Sequence, residues 1–237
     1  MIKDIILKDD SVAIIGFHEG GAGQIYEWIK GKYHIACFVN YNDDIIDENL
    51  TPKECKSFEY PKNGKYKGIP LISSQNYYEI LKKLNINRVI ITIPEERMRM
   101  VSIKQAKQYG MELISVIHPS VTLLEECKIG NGVILFPNVV VGYKTEVRDG
   151  VIINIGSSID HHSIICECVT IDPGVVTAGN VVVEECAHIH TGVTIINKIR
   201  VGQDAIVGAG SVLIKDVEPY SVNVGVPSRV IKYRESF

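Results

Sequence analysis

A six-residue repeat runs through the second half of the chain and constrains its fold more than any other feature. From Ile117 to Glu218 the sequence divides into seventeen hexads without an insertion. The fifth position of every hexad is small or β-branched, and the first is Ile, Leu or Val in sixteen of the seventeen. A period of six fits neither an α-helix nor a long alternating strand. The first positions are Ile117, Leu123, Ile129, Leu135, Val141, Val147, Ile153, Ile159, Ile165, Ile171, Thr177, Val183, Ile189, Ile195, Val201, Val207 and Leu213.

This periodicity predicts a solenoid of short strands joined by tight corners. The first-position aliphatic side chain fills the interior, and the small fifth-position side chain fits where the wall turns. Glycine and asparagine recur between the strands, as in Gly130-Asn131-Gly132 and Gly208-Ala209-Gly210. These residues tolerate the backbone angles that corners require.

The first half instead alternates strand and helix patterns, which predicts a parallel sheet with helices on its faces. The run Val12–Gly16 ends in the glycine-rich turn Gly16–Gly23, which is not a regular GxGxxG motif, and no P-loop lysine follows it. Residues 42–68 are polar, and their composition predicts a long exposed loop, or excursion from the sheet, with a short helix near 51–55. Further strands are predicted at 34–40, 88–93 and 112–116, and helices around Ile25–Ile29, at 74–84 and at 95–109.

Composition excludes several functional classes. The chain has 237 residues, is 46% hydrophobic and carries a formal charge of −3, which is neither a disordered nor a nucleic-acid-binding composition. No apolar run reaches the length of a membrane span, and the first residues lack a signal-peptide pattern. We therefore expect a cytoplasmic protein whose six cysteines are reduced thiols.

The hexads resemble those of the hexapeptide-repeat acyltransferases. The whole chain resembles, within them, the sialic acid O-acetyltransferase and UDP-4-amino-sugar N-acetyltransferase family. The closing segment Gly225–Arg229 is typical of the wider group, and Asn154–His161 is typical of the narrower one. The other matching stretches are 12–23, 38–40, 68–71, 92–99, 117–120, 150–153, 172–174 and 178–180.

The resemblance implies an α/β N-terminal Rossmann-like domain over residues 1–116, which binds a nucleotide sugar. It implies an all-β left-handed parallel β-helix of hexapeptide repeats over residues 117–237, with three hexads to a coil, so that residues 18 apart stack. It further implies a homotrimer, acetyl-CoA as co-substrate between neighbouring β-helices, and a small-molecule sugar substrate that is nucleotide-linked. No metal, nucleic acid or membrane insertion is expected.

The resemblance assigns His161 as the general base that takes a proton from the sugar amine, a role that suits imidazole. His162 stands where the family has an acidic residue that orients the base. Asp160 precedes His161, and we expect it to face away from the ring. Gly179, one coil after His161, is placed where a backbone N–H meets the thioester carbonyl.

The resemblance also implies binding residues. Thr170 replaces a family histidine near the thioester, and His188 stacks on it and substitutes for it in part. Thr191, Ala209 and Pro227 are expected beside CoA. Asn40 and Tyr41 replace the family's acidic pair for the nucleotide base. The expected substrate contacts are Gly20, Gly21, Ala22, Asn40, Tyr41 and Asn154.

Stacking by 18 residues carries two further expectations. Asn154, Asp172 and His190 form a polar ladder on one outer face, which is either a substrate or CoA contact or a ladder at a trimer contact. Cys168 and Cys186 stack as two free thiols.

The sequence thus predicts an acetyl-CoA-dependent acetyltransferase that acts on an amino or hydroxyl group of a nucleotide-linked bacterial sugar. A sialic acid O-acetyltransferase and a catalytically inactive sugar-nucleotide-binding trimer are the alternatives. A zinc hydrolyase is disfavoured because no three of His161, His162, His188 and His190 form a registered stack.

Overall fold

The computed structural model describes residues 5–41 and 61–235 of the chain. The structure separates into two compact units. The first comprises Met1–Pro94 and Val101–Ile114, and the second comprises Glu95–Met100 and Ser115–Phe237. The predicted helix near residues 51–55 and most of the predicted excursion lie outside the described residues.

A six-stranded sheet forms the centre of the first unit, and its strand order is β3-β4-β2-β1-β5-β6. All neighbours pair in parallel except β3 and β4, which are antiparallel. Strand β1 is entirely buried, which explains its continuous apolar run. The strands are β1 (Ser11–Ile15), β2 (His34–Asn40), β3 (Lys65–Tyr66), β4 (Ile69–Ser73), β5 (Arg88–Ile91) and β6 (Glu112–Leu113).

The helices lie close to the predicted positions, and the second and third are shorter than predicted. A single π-helical turn, Glu19–Gly23, leads into α1 (Gln24–Ile29), and α2 (Tyr77–Lys83) and α3 (Glu96–Gln108) follow. The Glu95 side chain accepts hydrogen bonds from the backbone N–H groups of Arg97 and Met98, at 3.3 and 2.6 Å, and so begins α3. The longest described helix, α3, has 13 residues, and no helix in the described part of the chain is long and apolar enough to cross a membrane.

In the first unit the sequence analysis missed two strands, and it joined the last strand of this unit to the first strand of the next. Strands β3 and β4 contain Gly64, Gly68 and Pro70 in or beside them, residues that read as a loop. The predicted strand at 112–116 is two strands, of which Glu112–Leu113 completes the first sheet. The second, Val116–Ile117, pairs with Ile134–Leu135 and opens the repeat region.

The repeat region is a parallel β-helix with one two-residue strand in every hexad. Each strand pairs with strands 18 residues away, as Thr170 does with His188. Strands β7 to β23 are Val116–Ile117, Thr122–Leu123, Lys128–Ile129, Ile134–Leu135, Val140–Val141, Glu146–Val147, Ile152–Ile153, Ser158–Ile159, Ile164–Ile165, Thr170–Ile171, Val176–Thr177, Val182–Val183, His188–Ile189, Thr194–Ile195, Arg200–Val201, Ile206–Val207 and Val212–Leu213.

Three sheets form the walls of this β-helix, with eight, six and five strands. The first-position residue of each hexad is the second residue of its strand. From Leu135 to Leu213, all of these first-position side chains are buried. Strand β24 (Ser221–Val224) extends the largest sheet, and β25 (Arg229–Tyr233) pairs with it antiparallel. The predicted fold class, an α/β Rossmann-like part followed by a left-handed β-helix, is confirmed.

Candidate active site

The imidazole of His161 lies directly over the backbone of Gly179. A Cβ atom at Gly179 would stand 2.4 Å from Cε1 of His161 and 2.5 Å from its Nε2. Any side chain at residue 179 would therefore displace the ring. The N–H of Gly179 donates no hydrogen bond to another described residue, whereas the N–H of Asn180 bonds the carbonyl of His161 at 2.9 Å.

Two neighbours of His161 contact its ring at different nitrogens. Its Nδ1 lies 3.1 Å from Nδ1 of His162, and its Nε2 lies 3.8 Å from Oδ2 of Asp160. The expectation that Asp160 faces away is wrong. Its Oδ1 accepts a hydrogen bond from the backbone N–H of His161 at 2.7 Å, which turns the carboxylate back towards the imidazole.

A second group of polar side chains surrounds strand β19, where the sequence predicted a ladder. Oδ2 of Asp172 lies 3.0 Å from Nδ1 of His190 and 3.1 Å from Nε2 of His188. The amide of Asn154 reaches Oδ1 of Asp172 at 3.5 Å. Residues 154, 172 and 190 therefore do stack as expected.

A buried carboxylate extends this group. Nδ1 of His188 lies 3.0 Å from Oε1 of Glu96, whose side chain is almost fully buried. Burial opposes a charge on His188, but the hydrogen bond to Asp172 and the close Glu96 carboxylate outweigh burial and raise the pKa of His188 to about 9. Burial works against the ionised Asp172 and Glu96 too, yet their contacts with His188 hold both carboxyl pKa values below the usual range.

Arg99 is a buried cation that sequence reasoning left without a role. Its guanidinium is fully buried and donates to the carbonyls of Gly150 and Cys168, at 2.9 and 2.8 Å. It also donates to Oγ1 of Thr170 at 2.8 Å. In the sequence, Arg99 stands out only as the last residue of 92–99, a stretch that resembles the acetyltransferase family. That resemblance does not indicate partners 51 to 71 residues away.

The residues expected beside CoA differ in exposure. Thr170 is 6% exposed, and its hydroxyl accepts a hydrogen bond from the buried guanidinium of Arg99. Thr191, Ala209 and Pro227 are exposed on the β-helix. Within the described residues, no hydrogen bond or ion pair joins the His161 group to the Asp172 group.

The residues expected to bind the sugar nucleotide lie at the carboxyl ends of strands β1 and β2, apart from Asn154 in the second unit. Gly16 has a φ of 95°, and a Cβ there would stand 2.6 Å from the backbone N of Ile93, so the turn requires glycine. Ala22 is buried and Gly21 is half-buried, while the surroundings of Gly20 lie outside what the structure describes.

Asn40 ends β2 and is 2% exposed, and Tyr41 next to it is half-buried. Oδ1 of Asn40 has no hydrogen-bond partner among residues 5–41 and 61–235. Ligands of open parallel sheets bind at this edge, so the turn and Asn40 stand where a nucleotide would approach.

The chain is similar over almost its whole length to PerB from Caulobacter crescentus, solved in complex with CoA and GDP-perosamine. The TM-score is 0.81 at 25% identity, over 96% of this chain and 100% of that one. The chain has the fold of the hexapeptide-repeat sugar acetyltransferases. No family model and no curated protein sequence matches it.

Two further solved structures share this fold. The acetyltransferase domain of PglB from Neisseria gonorrhoeae, in complex with acetyl coenzyme A, has a TM-score of 0.78 at 24% identity, over 94% of this chain and all of that one. WeeI from Acinetobacter baumannii has a TM-score of 0.62 at 20% identity, over 93% of this chain and 99% of that one. The resemblance stated from the sequence is confirmed at the level of the fold.

Proposed function

We propose that this protein transfers the acetyl group of acetyl-CoA to an amino group of a nucleotide-linked sugar, with His161 as the general base. The observation that carries the proposal is the similarity to PerB, which spans both units and was solved with CoA and GDP-perosamine. Both halves of the chain are thus similar to those of a protein that holds a coenzyme and a sugar nucleotide together.

The geometry around His161 suits a general base. Nδ1 of His161 lies opposite Nδ1 of His162. In the tautomer that can act as a base, the Nδ1–H of His161 donates to the lone pair on Nδ1 of a neutral His162. Nε2 of His161 then carries the lone pair that accepts the proton. Oδ2 of Asp160 lies 3.8 Å from that nitrogen.

The transfer balances with these groups alone. The amine nitrogen attacks the thioester carbon, and its proton passes to Nε2 of His161. The carbon–sulfur bond breaks, and the CoA thiolate leaves and takes that proton back, which gives an amide and free CoA. The Gly179 N–H, which has no acceptor among the described residues, donates to the thioester oxygen as it gains negative charge.

The remaining assignments follow the resemblance. CoA contacts Thr191, Ala209 and Pro227, which are exposed. The resemblance also assigns Thr170 and His188 to the coenzyme; of the two, His188 is half-buried, whereas Thr170 is buried against Arg99. The sugar nucleotide contacts Gly20–Ala22, Asn40 and Tyr41, and Asn154 contributes from a β-helix. The protein acts as a homotrimer.

The test is release of free thiol from acetyl-CoA in the presence of GDP-, UDP- and dTDP-linked 4-amino sugars and of free sialic acid. We expect release with one nucleotide-linked amino sugar, loss of at least about 100-fold in kcat in His161→Ala, and no change in His118→Ala. His118 is a matched control because it is a half-buried histidine in the first coil that bonds Ser120.

Other outcomes would change the assignment. Release with sialic acid alone would identify an O-acetyltransferase. Release that survives His161→Ala would remove His161 as the base. Tight binding of a nucleotide sugar without thiol release from any acceptor would identify an inactive sugar-nucleotide-binding protein.

A further inference from the structure

Three potential metal-binding side chains meet on the outer face of the β-helix. His188 and His190 flank the buried Ile189, so both rings project to the same side of strand β19. Asp172 lies one coil away, in the stack of His190. Nε2 of His188, Nδ1 of His190 and a carboxylate oxygen of Asp172 all lie within 4.8 Å of one another.

The separations match a small coordination sphere. Oδ2 of Asp172 lies 3.1 Å from Nε2 of His188 and 3.0 Å from Nδ1 of His190. Neighbouring ligand atoms around tetrahedral zinc, with bonds of 2.0–2.1 Å, are roughly 3.3 Å apart. Two of the three separations are therefore close to those of a zinc site, and the third, between a nitrogen of each ring, is at most 4.8 Å.

The surroundings of these residues are those of metal ligands rather than of exposed surface groups. Nδ1 of His188 lies 3.0 Å from Oε1 of Glu96, a nearly buried oxygen that accepts no hydrogen bond within the described residues, so a small turn of the ring would let the N–H donate to it. Metal-binding histidines almost always donate their other N–H to such a group, which fixes the tautomer and the ring orientation. The second oxygen of Asp172 is held by Asn154 at 3.5 Å.

We propose that Asp172, His188 and His190 bind a divalent transition-metal ion, with Zn²⁺ as the best match. Two imidazoles and one carboxylate favour zinc, nickel or copper over magnesium and calcium, which prefer oxygen ligands. Three protein ligands leave a fourth tetrahedral position open to water or to an exogenous group. This site departs from the expectation of no metal. It shares His188 with the residues proposed for the coenzyme, but metal binding is measured without acetyl transfer, so failure of one proposal is distinguishable from failure of the other.

Binding requires two local changes. The rings of His188 and His190 are stacked, with centroids 3.9 Å apart and planes tilted by 31°, so the His190 ring turns about its Cβ–Cγ bond to aim its lone pair at the ion. The side chain of His190 is 37% exposed and has room for that rotation. The ion also takes the place of the hydrogen bond between Nε2 of His188 and Oδ2 of Asp172.

The experiment is metal titration of the untagged, chelator-treated full-length protein, followed by calorimetry and elemental analysis. We expect about one Zn²⁺ per chain for the wild type. Binding should be lost in His190→Ala and in the bulkier His190→Gln, and kept in His118→Ala. Circular dichroism of each variant shows whether the β-helix remains folded.

Two further measurements separate a built site from surface adsorption. Glu96→Gln keeps the three ligands and should weaken Zn²⁺ binding by about 10–100-fold without changing the stoichiometry. Co²⁺ in place of Zn²⁺ should give the visible absorption of a tetrahedral ion in the wild type and not in His190→Ala. Failure of the wild type to bind Zn²⁺, or binding that persists in both His190 variants, would overturn the proposal.

Discussion

Nδ1 of His161 lies 3.1 Å from Nδ1 of His162, so one imidazole orients the other. The relatives that the sequence resembles have an acidic residue at this position, which accepts the same hydrogen bond with a full charge. A neutral His162 accepts it only while its own Nδ1 carries no proton.

This relationship predicts that His162→Asn retains activity while His162→Ala loses it. Asparagine keeps an oxygen acceptor that does not titrate, and it tolerates the left-handed backbone of residue 162, whose φ is 55°. We expect kcat/KM of His162→Ala to fall by about 10–100-fold, within the range of general-base effects. His162→Asn should therefore recover most of the kcat/KM that His162→Ala loses.

A purely structural role for His162 would give a different pattern. Both variants would then lower the free energy of unfolding in denaturant and lose the same share of kcat/KM. An equal loss of kcat/KM in His162→Ala and His162→Asn would therefore exclude His162 as the residue that orients the base.

Gly179→Ala should abolish most activity through the ring of His161. The added Cβ would stand 2.4 Å from Cε1 of His161. The φ angle of Gly179 is not in the left-handed region, so the effect comes from this contact and not from backbone strain. We expect a loss of at least about 100-fold in kcat, and a loss of about 1–3 kcal/mol in the free energy of unfolding from overpacking.

A double-mutant cycle isolates that contact. In a His161→Ala background the ring is absent, so Gly179→Ala should no longer destabilise the protein in denaturant unfolding. Gly31→Ala is the control, because a Cβ there has no atom within 4 Å. An equal loss of stability in both backgrounds would show that the glycine serves the backbone and not the imidazole.

The repeat determined the β-helix because one physical requirement, an aliphatic side chain in the interior, recurs at a fixed spacing. The one first position without an aliphatic residue also has a structural explanation. Thr177 occupies a first position and is 3% exposed, and its Oγ1 accepts a hydrogen bond from the backbone N–H of Asp160 at 3.2 Å. The hydroxyl thus fixes the residue that precedes the proposed base.

The site was only partly predictable, because stacking by 18 residues relates residues within the repeat and nothing outside it. That rule placed Gly179 beneath His161 and Asp172 beside His190. It carried no information on Glu96, which lies ahead of the repeat and still reaches His188. The carboxylate of Asp160 points towards His161 because it accepts a hydrogen bond from the backbone N–H of His161. The alternation of side chains along a strand does not predict this orientation.

Thiol reactivity should divide the described cysteines by burial. Burial raises the pKa of Cys37 and of Cys186 to about 12 and that of Cys168 to about 11. All three are therefore neutral thiols at pH 8, and alkylation should be at least about 100-fold slower than in the unfolded chain. Cys127 is half-buried and should react quickly.

Peptide mapping by mass spectrometry after alkylation measures each cysteine separately, with urea-unfolded protein as the reference for full reaction. Cys168 and Cys186 are both free thiols in the structure, so each should carry the label once the protein is unfolded without reductant. A Cys168–Cys186 disulfide peptide from freshly purified protein would contradict this prediction.

Replacement of Arg99 should be the most destabilising of these changes. The guanidinium is fully buried and satisfies Gly150 O, Cys168 O and Thr170 Oγ1, three acceptors on two neighbouring coils. Arg99→Met leaves them without a donor, and each buried unsatisfied group costs about 1–3 kcal/mol. We expect a loss of at least about 3 kcal/mol in the free energy of unfolding of the β-helix.

Arg99→Lys distinguishes charge from geometry. An ammonium restores the charge but lacks the planar fork that reaches acceptors on both coils, so it should recover less than half of the loss. Lys104→Ala, at an exposed position of the same helix, should change stability by less than about 0.5 kcal/mol. Full recovery in Arg99→Lys would show that the charge near Glu96, rather than the three hydrogen bonds, is what the buried guanidinium supplies.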